Sequence, residues 1–156
     1  MEWTALVSTV AGGGIATLSA GALEFWRWKR QRVDQNTENR RVLYGSYLAV
    51  LSSTRHALGV LARDTDISSV ERAKAVWDAY ENCISRRYEV EIMAPLGVVA
   101  AAEKTHQAIR ALCVAVAGGV TSDSEEYDHH RQAYKRVHSS LRSAMRSDLG
   151  TERFQR

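Results

Sequence analysis

An uncharged stretch near the start of the chain, residues 3–23, restricts the possible folds more than any other feature. As an α-helix these 21 residues would be about 31 Å long, close to the hydrocarbon core of a bilayer at about 30 Å. The stretch contains several glycines, which are poor helix formers in water. In lipid a helix is still favoured, because any other conformation leaves backbone groups without hydrogen-bond partners. We therefore predict a transmembrane helix at residues 1–24.

A basic and aromatic collar follows this stretch directly. Tryptophan is common at membrane interfaces, and Lys and Arg accumulate on the cytoplasmic side. The predicted interface anchors are Trp26, Arg27, Trp28, Lys29, Arg30 and Arg32, whereas Glu2 is the only charged side chain before the span. The lipid bilayer is thus the first expected partner. We predict a single-pass protein of the plasma membrane with its N-terminus outside, a basic juxtamembrane linker helix at residues 25–38, and a cytoplasmic C-terminal domain.

The apolar stretch has two other interpretations. A cleavable signal peptide is suggested by Ala20, Gly21 and Ala22, which resemble a cleavage site. However, a signal peptide has its cations before the apolar region, and here they follow it. A helix buried within a soluble oligomer would explain the apolar stretch but not the collar. The collar therefore favours the membrane interpretation.

Small residues occupy one face of the predicted span, namely Thr9, Gly12, Gly13, Ala16 and Ala20. Small side chains allow two transmembrane helices to approach closely. We expect this face to mediate homo-oligomerisation or pairing with another membrane protein. The alternative is that glycine and alanine are simply frequent in membrane helices.

The remainder of the chain predicts helices only, because it contains a single proline and several amphipathic repeats. The expected fold is all-α, with about four helices in an antiparallel cytoplasmic bundle at residues 39–149 and a frayed tail at 150–156. Ser68 and Glu71 have the spacing of a capping box, and Pro95 should end the second bundle helix. The apolar stripe predicted to face the core from that helix is Val70, Ala73, Trp77, Tyr80, Ile84 and Tyr88.

The distribution of charge along the chain indicates which classes of partner to expect. The formal net charge is +3, and residues 24–41 hold the whole excess, with six basic against three acidic side chains. A nucleic-acid-binding protein usually spreads its cations along a groove-facing element, so no nucleic-acid partner is expected. Cys83 and Cys113 are isolated within apolar patterns and form no CxxC motif. They are expected to be buried, reduced thiols.

Two Glu-x-x-His pairs raise the alternative of a metal-dependent bundle enzyme, since that spacing occurs in di-iron bundles. If the last two helices are antiparallel about residue 120, Glu103 lies near the level of His138 and His106 near that of Tyr134. The second pair, Glu126 and His129, would then be about 15 Å away and could not share the metal. Glu103, His106 and His138 are therefore weak candidates for metal ligands. The alternatives are that they form a hydrogen-bonded layer or that they are ordinary structural residues. No motif of a nucleophile, phosphate loop or dinucleotide site occurs, so no catalytic residue or cofactor is predicted.

Several segments carry a resemblance to known proteins. They are "AGGGIATLSAGAL", "RWKRQR", "RRVLYGSYLAVL" and a V-x-I-x-A-P-x-x-V pattern that begins at Val90 and includes Pro95. In these segments the chain resembles a diffuse group of small single-pass membrane proteins of actinobacteria and actinophages. The resemblance implies a membrane-anchored helical architecture and a setting in accessory or phage-related genes, and it carries over no catalytic residue.

These observations together predict a membrane-anchored, non-enzymatic helical interaction module. Its protein partner is not identified by the sequence, and a homo-oligomer is expected. A phage-exclusion or defence component at the membrane and a metal-dependent helical-bundle enzyme are the alternatives.

Overall fold

The computed structural model describes the backbone of residues 3–151 and the side chains of residues 28, 31–32 and 35–151. Four α-helices follow one another: α1 (Trp3–Leu61), α2 (Ser69–Met93), α3 (Leu96–Ala117) and α4 (Glu125–Asp148). No strand occurs in the described range, which confirms the predicted all-α fold. The chain divides into two compact units, with the boundary between Asn39 and Arg40.

The first unit contains the beginning of α1. The predicted span, its small-residue face and four of the six predicted anchors lie outside the residues whose side chains are described. Among the described residues, no helix combines the length and the apolar character needed to cross a bilayer. The two described anchors contact each other, because the guanidinium carbon of Arg32 lies 3.9 Å from the ring centre of Trp28. This is a cation–π contact on one helix face.

The second unit is a four-helix bundle in which each helix contacts the next, and α4 returns to α1. The hydrogen bonds that join neighbouring helices are Thr54 to Ala79 (α1 and α2), Tyr80 to His106 (α2 and α3), Thr105 to Val137 (α3 and α4) and Tyr44 to Asp148 (α1 and α4). The order of these contacts also shows how α1 and α4 run relative to each other. Tyr44 meets the end of α4, whereas Gly59 lies beside Tyr127 at the start of α4, so α1 and α4 are antiparallel. The predicted helical bundle is thereby confirmed.

Local sequence signals set the helix ends. The Ser68 hydroxyl accepts the backbone N–H of Glu71, and the Glu71 carboxylate accepts the backbone N–H of Ser68, which completes the predicted capping box. Pro95 separates α2 from α3, because its ring excludes the helical conformation at Ala94, whose ψ is 154°. After α3, Gly119 has a φ of +96°, a left-handed conformation that favours glycine.

Side chains from all four helices form the core. Tyrosines contribute much of its volume, and the largest fully buried side chains are Tyr44, Tyr47, Tyr134, Leu51, Leu58, Ile109, Leu112 and Leu141. The two connections at one end of the bundle are joined by a hydrogen bond from the Ser122 backbone N–H to the Ala62 carbonyl, and the buried side chain of Arg72 lies beside them. Its Nη2 donates to the carbonyl of Asp64 at 2.6 Å, and its Nη1 lies close to Gly119.

The predicted core stripe of α2 is wrong at four of its six positions, since only Tyr80 is buried and Ala73 is half-buried. The helix buries Val76, Tyr80, Cys83 and Val90, whereas most of the predicted stripe is exposed to solvent. The side chains left outside are Val70, Trp77, Ile84 and Tyr88. The reason is that α2 carries two apolar stripes of helical spacing, and spacing alone does not rank them. Packing against Thr54 of α1, whose hydroxyl meets Cys83, places the second stripe inside.

Candidate functional site

The weak metal candidates do not form one cluster. Among the described residues, no group of three or more His, Cys, Asp or Glu side chains is placed to hold a metal ion. Glu103 accepts a hydrogen bond from Arg87 of α2 at 2.9 Å and another from Gln107 at 2.9 Å. His106 lies against Tyr80 of α2, with 2.8 Å between its Nε2 and the tyrosine hydroxyl oxygen.

The expected layer between Glu103, His106, Tyr134 and His138 therefore does not form. Glu103 and His106 contact residues of α2 instead, and Tyr134 pairs with His138. The predicted level was right, since Thr105 donates to the carbonyl of Val137. The predicted direction of the Glu103 and His106 side chains was wrong, because antiparallel pairing fixes the height of a residue along the bundle but not the side of the helix on which it lies. Glu103 and His106 lie on the side of α3 that faces α2.

A row of exposed apolar side chains lies on α2. We define the outer α2 face as Val70, Trp77, Ile84, Tyr88 and Ile92, which fall within one narrow arc of the helix at 100° per residue. Trp77 is 40% exposed and Ile92 is 83% exposed. The Trp77 ring packs edge-on to Tyr80 at 5.7 Å between centres, and the Arg87 guanidinium lies 4.6 Å from the ring centre of Tyr88. These contacts hold the two aromatic rings in defined positions at the surface.

Two charged residues lie within the same arc. Lys74 and Glu81 are exposed, and they stand on either side of Trp77 along the helix. No ion pair between either side chain and another described residue is present. The outer α2 face thus combines a row of large apolar groups with one cation and one anion.

A second surface feature is a cleft between α1 and α4, which we call the α1–α4 cleft. It has a volume of about 410 Å³, and its lining residues are Ser52, Arg55, Tyr134, Lys135, His138 and Arg142. On α4, Tyr134, His138 and Arg142 are four residues apart and Lys135 follows Tyr134 directly, so the four residues lie within about 100° of one another around that helix. The lining contains three permanent cations and no acidic side chain.

The electrostatics of the cleft are set by burial and by the two arginines. His138 stacks on Tyr134, with 5.3 Å between ring centres and 23° between planes. Burial lowers the pKa of His138, and Arg142 and Arg55 lower it further. Burial raises the pKa of the Tyr134 hydroxyl far above its ordinary value. Both groups are therefore neutral near pH 7, and the cleft's positive charge comes from Arg55, Lys135 and Arg142.

The two cysteines are buried and free, as the sequence predicts. Burial raises the pKa of Cys113 to about 12, and it also raises the pKa of Cys83, against a smaller opposite effect of the Thr54 hydroxyl. A thiol needs its thiolate form to act as a nucleophile or metal ligand. Neither cysteine is therefore suited to such a role.

Sequence reasoning missed both surface features. The outer α2 face was assigned to the core, and the cleft joins residues about 80 positions apart in the chain. A usable signal existed for the cleft, because Lys135, His138 and Arg142 repeat at helical spacing without an interspersed acid.

Comparison of the chain with models of known protein families, with curated proteins and with solved structures finds no match.

Proposed function

We propose that this protein is a membrane-anchored, non-enzymatic helical module whose bundle binds a second copy of the same chain through the outer α2 face. The observation that carries the association is the exposed row Val70, Trp77 and Ile84, repeated every seven residues. Large exposed apolar patches in folded proteins commonly mark interaction sites. Seven-residue spacing is the repeat by which two helices pair along a seam.

Charge complementarity favours a second copy as the occupant. A twofold axis that passes beside Trp77 and runs perpendicular to α2 would pair the two α2 helices in antiparallel fashion, with the same surface used by both copies. Val70 of each copy would then face Ile84 of the other. Lys74 of each copy would lie close to Glu81 of the other, which gives two equivalent ion pairs. Parallel pairing in register would instead place like charges opposite each other.

The membrane anchor is supported by the sequence of residues 3–32. The uncharged stretch has the length of a bilayer core, and the collar has the composition of a cytoplasmic interface. The contact between Arg32 and Trp28 fits an interfacial position, where an aromatic ring lies at headgroup level beside a cation. The N-terminus is then outside, and the bundle is in the cytoplasm.

Membrane anchoring is tested by fractionation of cells that express the full chain. We expect the protein to remain in the membrane pellet after extraction with alkaline carbonate and to dissolve in nonionic detergent. A reporter active only in the cytoplasm should be active when fused to the C-terminus and inactive when fused to the N-terminus. Recovery of the intact chain in the detergent-free soluble fraction would refute this part of the proposal.

Association through the outer α2 face is tested by charge exchange in the full chain in nonionic detergent. Lys74→Glu should weaken dimerisation at least about tenfold, because two attractive contacts become repulsive. The double variant Lys74→Glu, Glu81→Lys should restore it, since the pairs are re-formed with their signs exchanged. Sedimentation equilibrium measures both. Equal affinities of the wild-type chain and the single variant would contradict the interface.

Self-association of the span would be a separate contribution. Gly13→Ile with Ala16→Ile fills the predicted small-residue face and should weaken only that contribution. Repeating the charge exchange in this background isolates the bundle. Trp77→Ala serves as a further variant there, and it should weaken dimerisation at least about tenfold, because an aromatic residue at the centre of an interface usually dominates its affinity.

A further inference from the structure

The α1–α4 cleft gathers cations that no described carboxylate neutralises. Arg55 comes from α1, and Lys135 and Arg142 come from α4. In the part of the chain that the structure describes, none of the three forms a salt bridge. By contrast, Arg40 and Arg87 in the same bundle each contact an acidic side chain, at 3.2 Å to Asp148 and 2.9 Å to Glu103. Grouping like charges is unfavourable unless an anion compensates them.

Two buried polar atoms at the cleft also lack partners. The Nε2 atom of His138 and the hydroxyl oxygen of Tyr134 are buried, and neither has a hydrogen-bond partner among the described residues. Tyr134 is 2% exposed. Buried polar atoms are nearly always hydrogen-bonded in folded proteins, and these two unpaired atoms belong to residues that line the cleft. Ser52 adds a further hydroxyl to the same lining.

The chemistry of the lining selects the ligand class. A guanidinium group donates two parallel hydrogen bonds to the oxygens of a phosphoryl group, and this geometry is favoured in phosphate sites. The lining matches the several oxygens and the double charge of a phosphate monoester, because it offers two guanidinium groups, an ammonium, an imidazole and a hydroxyl. The volume of about 410 Å³ is within the ordinary range of small-molecule sites and leaves room for the group that the phosphate carries.

We propose that the α1–α4 cleft binds a phosphate monoester, with Arg55 and Arg142 clamping the phosphoryl oxygens and His138 donating a hydrogen bond from its ring. Lys135 adds charge at the rim. The monoester is either a soluble phosphorylated compound or the headgroup of a phosphatidic-acid-like lipid, because both present the same dianion. This binding is independent of the outer α2 face, which lies on a different helix.

The test uses the full chain in dodecyl maltoside micelles and two probes. Isothermal titration with inorganic phosphate measures binding of a soluble anion. Titration with micelles doped with phosphatidic acid, compared with micelles doped with phosphatidylcholine, measures binding of a lipid headgroup. Arg55→Gln and Arg142→Gln should each lower the affinity at least about tenfold, since a charge-assisted hydrogen bond is lost. The matched control Arg110→Gln removes the same charge from an exposed position on α3 outside the cleft, and it should leave the affinity nearly unchanged.

The result separates the two sources. Arginine-dependent binding of inorganic phosphate supports a soluble ligand, and arginine-dependent binding restricted to phosphatidic acid supports a lipid. Absence of binding in both titrations overturns the proposal, as does an equal loss of affinity in the Arg110→Gln variant.

A second measurement needs no variant. His138 and His106 are both half-buried histidines with lowered pKa values, but only His138 lines the cleft. The charged groups that act on His138 are Arg142 and Arg55, and both oppose its protonation. A bound phosphoryl dianion would counteract them, so phosphate should raise the pKa of His138 in an NMR titration and leave that of His106 unchanged. Equal behaviour of the two imidazoles on addition of phosphate would contradict the site.

Discussion

Two valine-to-alanine substitutions in α2 test which face of this helix is in the core. Val76 is completely buried, whereas Val70 is 77% exposed on the outer α2 face. Both changes remove the same two methyl groups from the same helix. Any difference in the free energy of unfolding therefore reports burial and not residue type.

The expected magnitudes follow from burial. Truncation of Val76 loses about 0.8 kcal/mol per buried methyl group, and the cavity left behind adds to this. Alanine recovers about 0.5 kcal/mol through its higher helix propensity. The net cost of Val76→Ala is about 1.5–2.5 kcal/mol. Val70→Ala loses little buried area and gains propensity, so its net effect is within about 0.5 kcal/mol of zero.

Thermal unfolding of the full chain in nonionic detergent, followed by circular dichroism, measures both effects. At about 4 °C per kcal/mol for a domain of this size, Val76→Ala should lower the midpoint by about 6–10 °C and Val70→Ala by less than about 2 °C. The protein concentration is kept low enough that sedimentation shows a single copy. A shift for Val70→Ala as large as that for Val76→Ala would refute the assignment of the buried face.

Three further predictions concern groups inside the bundle. Burial lowers the pKa values of both His106 and His138 below 6.5, so below that pH the unfolded chain binds protons that the folded chain excludes. The stability of the bundle should therefore decrease as the pH falls from 7 to 5 in phosphate-free buffer, and replacing both histidines with glutamine should flatten the dependence of the thermal midpoint on pH. The two thiols should resist iodoacetamide at pH 8 in the folded protein and react once urea unfolds it, because burial raises the pKa values of Cys83 and Cys113. Alkylation is measured by mass spectrometry. Rapid alkylation of either cysteine in the native protein would disprove this prediction. Thr54→Val should destabilise the bundle by about 1 kcal/mol in urea titrations, because the buried hydroxyl donates to the Ala79 carbonyl at 2.8 Å; an unchanged midpoint would show that this hydrogen bond contributes nothing.

Several helix ends in the bundle can be read from the sequence alone. The capping box at Ser68 and Glu71, the break at Pro95 and the left-handed Gly119 all depend on backbone geometry within a few residues. Such local preferences are written in adjacent positions, so they can be read without knowledge of the rest of the fold. The core face of α1 can also be read from the sequence, because Tyr47 and Leu51 repeat at helical spacing, and both are buried.

The faces by which the helices contact one another are set by packing between distant segments. In α2 the spacing allowed two apolar stripes, and contact with Thr54 selected the one that contains Val76 and Cys83. For α3, antiparallel pairing predicted the correct height relative to α4 but not the rotation of the helix, so Glu103 contacts Arg87 instead of His138. The α1–α4 cleft likewise exists because two distant segments become neighbours on folding. Helix rotation is chosen by the packing of the whole core, and no short window of sequence contains that information.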